Sequence, residues 1–183
     1  MRYFFVLIFI FFFVTNKAYS DVIKPIIINL EKADNYNFKF KQQINKKIET
    51  GTCILVFNRK INCIYDKSDK ILVSDGKNLI IKSGDSNIPN FYKLKNTSFY
   101  KLLDKNFLID ELAANNIKNE NDKLFITLNY QNVDIKIFFD TAGLYLSGWE
   151  TTDIYNNYVF TEIEIKEVND IVDENIFDLK KYN

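Results

Sequence analysis

The chain of 183 residues contains no histidine. That absence removes Ser-His and Cys-His nucleophilic pairs and every His-ligated metal. Two cysteines, two prolines, one methionine and a single tryptophan are the other scarce residues. One tryptophan, Trp149, does not make the aromatic cleft that carbohydrate enzymes use, and no acid pair stands at a recognisable spacing for glycoside hydrolysis. If the cysteines pair, a catalyst is left with carboxylates, lysine or tyrosine. The chain therefore reads as a non-enzyme with no cofactor and no metal. After the first twenty residues there is one arginine, Arg59. Beyond residue 20 the chain holds 22 basic and 24 acidic residues, a net charge of −2. Such a balance argues against broad binding to nucleic acid or anionic lipid.

The N-terminus has the one long apolar run. Phe4 to Val14 is unbroken, follows Arg2, and is too short to span a bilayer as a helix. Ala18-Tyr19-Ser20 has the form of a cleavage site. Residues 1–20 are expected to be a secretory signal peptide, with one domain over 21–183 and a periplasmic, soluble, monomeric product. No cysteine follows the cleavage site, so a lipid anchor on the chain itself is not expected. In an oxidising compartment Cys53 and Cys63 are expected to be bonded.

Strand signals dominate the rest. Gly51 to Ile81 reads as four strands in two hairpins. The first turns at Phe57-Asn58-Arg59. If Val56 pairs with Lys60, Cys53 lies opposite Cys63, where a cross-strand disulfide can close. The inward face then carries Cys53, Leu55, Phe57, Ile61, Cys63 and Tyr65. The second turns at Ser74-Asp75-Gly76-Lys77, an Asp-Gly signal. Its register stays open, because Ile71, Leu72 and Val73 are all apolar. Upstream, Ile23, Ile26, Ile27 and Leu30 have helical spacing over 21–35, with Pro25 in the first turn. Tyr36, Phe38 and Phe40 alternate on one face of a strand.

Downstream, a short strand over 91–94 leads to a helix bearing Phe99, Leu102 and Leu103, capped by Thr97 or Ser98. A second short helix spans 107–114. Strands follow around Leu124–Leu128, Ile135–Phe139, Leu146–Trp149 and Tyr158–Ile165, and a last short strand is expected at Phe177. Asp110 and Glu111 are adjacent acids on a helix, read as a solvated face. The order gives an α+β fold: one long antiparallel sheet with helices covering one face.

The ordered motifs resemble the periplasmic lipoprotein-carrier (LolA) family. They are F-x-Q at Phe40–Gln42, G-x-C-x(9)-C-x-Y at Gly51–Tyr65, and V-S-D-G-K-x-L at Val73–Leu79. T-x-F-x-x-L-L at Thr97–Leu103, L-x-x-W at Leu146–Trp149 and N-x-F at Asn175–Phe177 follow in order. The resemblance implies an incomplete antiparallel β-barrel whose concave face, covered by helices, holds the acyl chains of a lipoprotein. It implies transfer from an inner-membrane lipoprotein-releasing ABC transporter to an outer-membrane receptor. The lipid-binding residues it points to are Phe38, Phe40, Leu55, Phe57, Ile61, Tyr65, Phe99, Leu102 and Leu103. Many family members carry Arg-Pro at the first hairpin turn, and that arginine bonds to the lid helices. Here Phe57-Asn58 stands in its place, with Arg59 two residues later at the rim. The resemblance thus carries over the pocket but not the latch.

The same apolar positions suit a packed core as well as a cavity, since both need apolar inward faces. Three further readings therefore stand beside the carrier: a lipid or lipoprotein sensor, a carboxylate-based glycosidase, and a structural β-domain with a filled interior.

Overall fold

A computed structural model describes residues 20–57, 59–83, 88–120, 123–153 and 155–182. The signal-peptide reading falls almost wholly on residues outside these. Helix α1, Ser20–Lys32, precedes strands β1 (Asn35–Ile44), β2 (Lys47–Val56), β3 (Lys60–Tyr65), β4 (Ile71–Asp75), β5 (Asn78–Lys82) and β6 (Asn90–Lys93). A helical crossover follows, made of a 3₁₀ turn at Leu94–Asn96, α2 (Phe99–Leu102) and α3 (Lys105–Ala114). Strands β7 (Lys118–Glu120), β8 (Lys123–Tyr130), β9 (Val133–Phe139), β10 (Leu146–Thr152) and β11 (Tyr158–Val168) complete the sheet. Two 3₁₀ turns, Glu174–Phe177 and Leu179–Tyr182, end the described chain.

All eleven strands form one sheet, in the order β6-β5-β4-β3-β2-β1-β11-β10-β9-β8-β7. Every pairing is antiparallel. The ends β6 and β7 do not pair with each other among the described residues, so the curved sheet is an unclosed barrel. The crossover bridges these two edges, and together with α1 it fills the concave side. Ile26 and Leu30 of α1 and Ala33 just after it are fully buried there with Leu102, Leu103, Leu108 and Leu112 of the crossover. This is the α+β fold that the element order gave, with the incomplete barrel that the resemblance implied.

The first hairpin has the register read from the sequence: Val56 faces Lys60, and Cys53 faces Cys63, to which it is disulfide-bonded. The odd-numbered face is inward, and Leu55, Phe57, Ile61 and Tyr65 are all buried. Gly51 stands between Phe40 on β1 and Tyr65 on β3. A Cβ there would lie 2.1 Å from the Ile64 carbonyl oxygen and 2.7 Å from the Phe40 ring. With no side chain at Gly51, the Phe40 and Tyr65 rings meet edge to face at 4.9 Å across β2.

A bulge in β10 decides the facing of the L-x-x-W segment. Register shifts between Leu146 and Gly148, and Gly148 has φ of 155°. Simple alternation puts residues 146 and 149 on opposite faces. The extra residue turns Leu146 and Trp149 both into the core.

Several readings are corrected. Pro25 lies inside α1, past its first turn, because the helix begins at Ser20. Neither Thr97 nor Ser98 caps α2 with its side chain: the Thr97 hydroxyl donates to the Leu94 carbonyl instead, closing the preceding 3₁₀ turn. Phe177 ends a 3₁₀ turn, not a strand. That turn and the next lie on the convex side of β4 and β5, where Asn62 donates to the Ile176 carbonyl and the Tyr182 hydroxyl, both at 2.8 Å. Val73 and Ile80 are fully buried beneath them, while Leu72 and Leu79 are buried on the concave side. Both faces of this hairpin are covered, which is why its apolar run showed no period. The turn itself lies one residue later than expected, with Ser74 paired to Leu79.

Candidate functional site

The β2–β3 turn holds Arg59 at φ 75°, a left-handed conformation that costs a residue with a Cβ about 1–2 kcal/mol. That geometry turns the guanidinium toward the crossover. Its Nε donates to the Tyr100 carbonyl at 3.2 Å, and its Cζ lies 4.3 Å over the centre of the Tyr100 ring. Its Nη2 pairs with the Asp104 carboxylate, whose other oxygen accepts from the Phe107 N–H and caps α3. One arginine thus fastens the strand turn to α2 and to the first turn of α3. Tyr100 in turn stacks on Tyr130 of β8 at 6.1 Å, and the Tyr130 hydroxyl donates to the Lys95 carbonyl. The side chains of Arg59 and Asp104 are less than a third exposed, so water screens the pair weakly. An arginine latch therefore exists, although the residue at the expected turn position is Phe57. Motif alignment looks for the latch at a fixed position, and the left-handed backbone at residue 59 supplies it from two residues further on.

The far ends of the same strands hold a cavity. Its volume is 270 Å³, and it is bounded by Ile44 of β1, Tyr65 of β3, Leu72 of β4, Trp149 of β10, Val159 of β11 and Phe99 of the crossover. The Asn45-Lys46 and Asp66–Asp69 turns lie at this end of β2 and β3, opposite Arg59. A second void of 140 Å³ adjoins it and shares Ile81, Tyr92, Phe99 and Thr152. A third, of only 20 Å³, lies beneath, against the disulfide, Phe40 and Ile61. Lys70 stands at the rim, paired to Glu49 at 2.6 Å with its ammonium 4.2 Å over the Tyr65 ring.

The nine residues named from the sequence separate into two groups. Tyr65 and Phe99 line the main cavity, and Phe40 and Ile61 line the small void beneath it. Phe38, Leu55, Phe57, Leu102 and Leu103 lie in the closed core and line none of these three cavities. Sequence reasoning missed Ile44, Leu72, Tyr92, Trp149 and Val159. Ile44 lies beyond the alternating Tyr36, Phe38 and Phe40, and Val159 falls in the strand expected around Tyr158–Ile165, where nothing in the sequence marked it as pocket. Trp149 reads as a packing anchor, and it is one: Phe38 and Phe99 meet its ring edge to face at 6.5 and 6.4 Å. It also walls the cavity.

Burial pushes the Tyr65 phenol up, with the Glu49 charge adding to it. The Tyr92 phenol is pushed up to about 12 by its hydrogen bond to Tyr155 and by burial. Both phenols are neutral at physiological pH. Asp110 is exposed, and Glu111 is engaged at 2.7 Å by Asn115, so these acids form no pair facing a cleft. No group of three or more His, Cys, Asp or Glu able to hold a metal occurs among the described residues. The apolar walls of the site can shelter an apolar chain.

No family model matches the chain, and no curated protein matches it. Among solved structures it is similar to a LolA superfamily protein from Nitrosomonas europaea, with 8% identity, TM-score 0.43, and 86% of this chain and 96% of that one covered. It is similar to the lipoprotein LppX of Mycobacterium tuberculosis, with 8% identity, TM-score 0.46, and 87% and 99% covered. A further similarity is to a putative outer membrane lipoprotein-sorting protein domain from Vibrio parahaemolyticus, with 9% identity, TM-score 0.42, and 89% and 98% covered.

Proposed function

We propose that the protein is a periplasmic carrier that shields the acyl chains of lipoproteins from water. In this reading it receives them from an inner-membrane ABC transporter and passes them to an outer-membrane receptor. The observation that carries the proposal is the pairing of an apolar cavity inside an unclosed barrel with a helical cover fastened by one arginine. A structural β-domain needs neither the void nor the releasable cover.

Magnitudes set how such a carrier works. The cavity of 270 Å³ lies just below the ~300–1,000 Å³ typical of sites for drug-sized ligands. An anchor with several acyl chains does not fit the closed form. Lifting the crossover exposes Leu102, Leu103, Leu108 and Leu112, which are at most 2% exposed. At about 1.5–3 kcal/mol each, their exposure costs on the order of 6–12 kcal/mol. Acyl methylenes, at about 0.8 kcal/mol each, offset that cost when they take the place of the leucines. The net affinity is then a small difference between two large terms. A weak net affinity is what a carrier without its own energy source needs, since transfer must run downhill to the acceptor.

The test is mass spectrometry of the protein isolated under mild conditions from the cell envelope of its source. Bound acylated peptide or protein is expected. A preparation that carries none, and that takes up none when offered detergent-solubilised lipoprotein, overturns the carrier reading.

A further inference from the structure

We propose that a single acyl chain enters the main cavity through a mouth between Tyr92 and Tyr155, without release of the Arg59 latch. The proposal rests on the pocket reading above and adds a route to it.

Tyr155, in the β10–β11 turn, lines the cavity yet is 71% exposed. A residue with both properties stands at the boundary between cavity and solvent. Trp149 lines the same cavity and is 5% exposed, so it marks the deep end. The line from Tyr155 to Trp149 is the axis along which a chain would thread. Tyr92 lines both larger voids, so its ring stands where they join.

One contact spans the mouth: the Tyr92 and Tyr155 hydroxyls lie 3.4 Å apart, long for an O–H···O hydrogen bond. Asp153 ties Tyr155 and Asn157 to the end of β10. Asp153 accepts from the Tyr155 N–H at 2.8 Å and the Asn157 N–H at 2.9 Å, while its other oxygen takes the Asn157 amide at 3.0 Å. The Tyr155 ring can therefore swing about its own side-chain torsions without disturbing the backbone. The two routes differ sharply in what they break. The mouth gives up one weak neutral hydrogen bond, and both phenols regain water. The latched cover gives up an ion pair, a cation–π contact and the burial of four leucines. A single chain short enough for the 270 Å³ cavity takes the cheaper route, and the cover moves only for bulkier cargo.

Trp149 is the one tryptophan of the chain, so its fluorescence reports on arrival at the deep end. The probe is a terminally brominated undecanoate, a single-chain carboxylate whose bromine quenches tryptophan on contact. Quenching is followed at equilibrium and by stopped flow for the unaltered chain, Tyr155→Ala, Tyr92→Ala and Arg59→Ala. A Tyr92→Cys/Tyr155→Cys protein bridged by a bismaleimide is included, since both native cysteines are bonded. Tyr155 is exposed, so its variants are expected to fold. Entry and exit should both quicken by about three- to tenfold in the tyrosine variants, and the bridged protein should slow by about tenfold or more. Entry in the bridged protein at the unaltered rate overturns the mouth. So does a rate set by Arg59→Ala and indifferent to the tyrosines, which places entry under the cover. If no protein in the set is quenched at equilibrium, the pocket reading itself fails and the mouth with it.

Discussion

Arg59 and Tyr100 are joined twice: the guanidinium Cζ lies 4.3 Å over the ring centre, and Nε donates to the same residue's carbonyl at 3.2 Å. The sole arginine beyond residue 20 thereby holds the cover of an unclosed barrel. Lysine has neither the planar face nor the fixed fork of donors to reproduce this. Arg59→Ala is expected to cost about 1.5–3 kcal/mol and to lower amide-exchange protection across residues 99–114. Arg59→Lys should recover only part of it. Equal protection in the variant and the unaltered chain counts against the latch.

Asp104 has two tasks that can be separated. Asp104→Asn removes the charge from the pair with Arg59 but can still accept from the Phe107 N–H, whereas Asp104→Ala loses both contacts. Denaturant titration should place Ala below Asn by about 1 kcal/mol, the usual worth of an N-cap. Equal losses would mean that the carboxylate does not cap α3.

Inward parity is tested by a pair of truncations. Phe57 is buried edge to face against Tyr36 at 5.3 Å, while Lys60, outward, bonds Glu174 on the exposed C-terminal turn. Phe57→Ala should cost about 3–5 kcal/mol and Lys60→Ala less than about 1 kcal/mol. Comparable losses would reverse the facing of the first hairpin.

The Cys53–Cys63 bond closes a loop with a sequence separation of 10. Its removal by a double Cys→Ser change should cost about 2–3 kcal/mol. Intact mass without reduction should show no thiol open to alkylation.

Acid stability should depend on Glu49. Burial pushes its carboxyl up, but hydrogen bonds and charge from Lys70 and Lys47 outweigh that and hold it below the ordinary 4.5. A carboxylate lowered in the folded state contributes stability that is full above its unfolded value. That contribution is lost as pH falls through the folded value. Stability should therefore decline below about pH 4.5, and Glu49→Gln should flatten that acid limb. Lys70→Ala should raise the Glu49 midpoint in an NMR titration. An unchanged limb in Glu49→Gln would assign acid loss to other carboxylates, such as Asp75, which the backbone N–H groups of Lys77 and Asn78 hold low.

What the sequence determined by itself is local and periodic. Alternation of Phe38 and Phe40, and of Leu55 with Cys53, settled strand identity and facing, because the period of two leaves no other way to bury one face. The spacing of Cys53, Val56, Lys60 and Cys63 settled the first register. Tertiary structure decided whatever depends on pieces distant in the chain. The 71–82 hairpin became readable only once the 174–182 turns were seen to cover its convex face and erase its alternation. The bulge before Gly148 turned Trp149 inward, against simple parity. A left-handed residue 59 brought a displaced arginine onto Tyr100 and Asp104, more than forty positions away. The division between packed core and cavity was also tertiary: Phe57 and Tyr65 carry the same inward signal, yet one lies in the closed core against Tyr36 and Lys105 of α3 and the other beside open space. Periodicity reports which way a side chain points, and only the arrangement of the whole sheet and its cover fixes what it meets there.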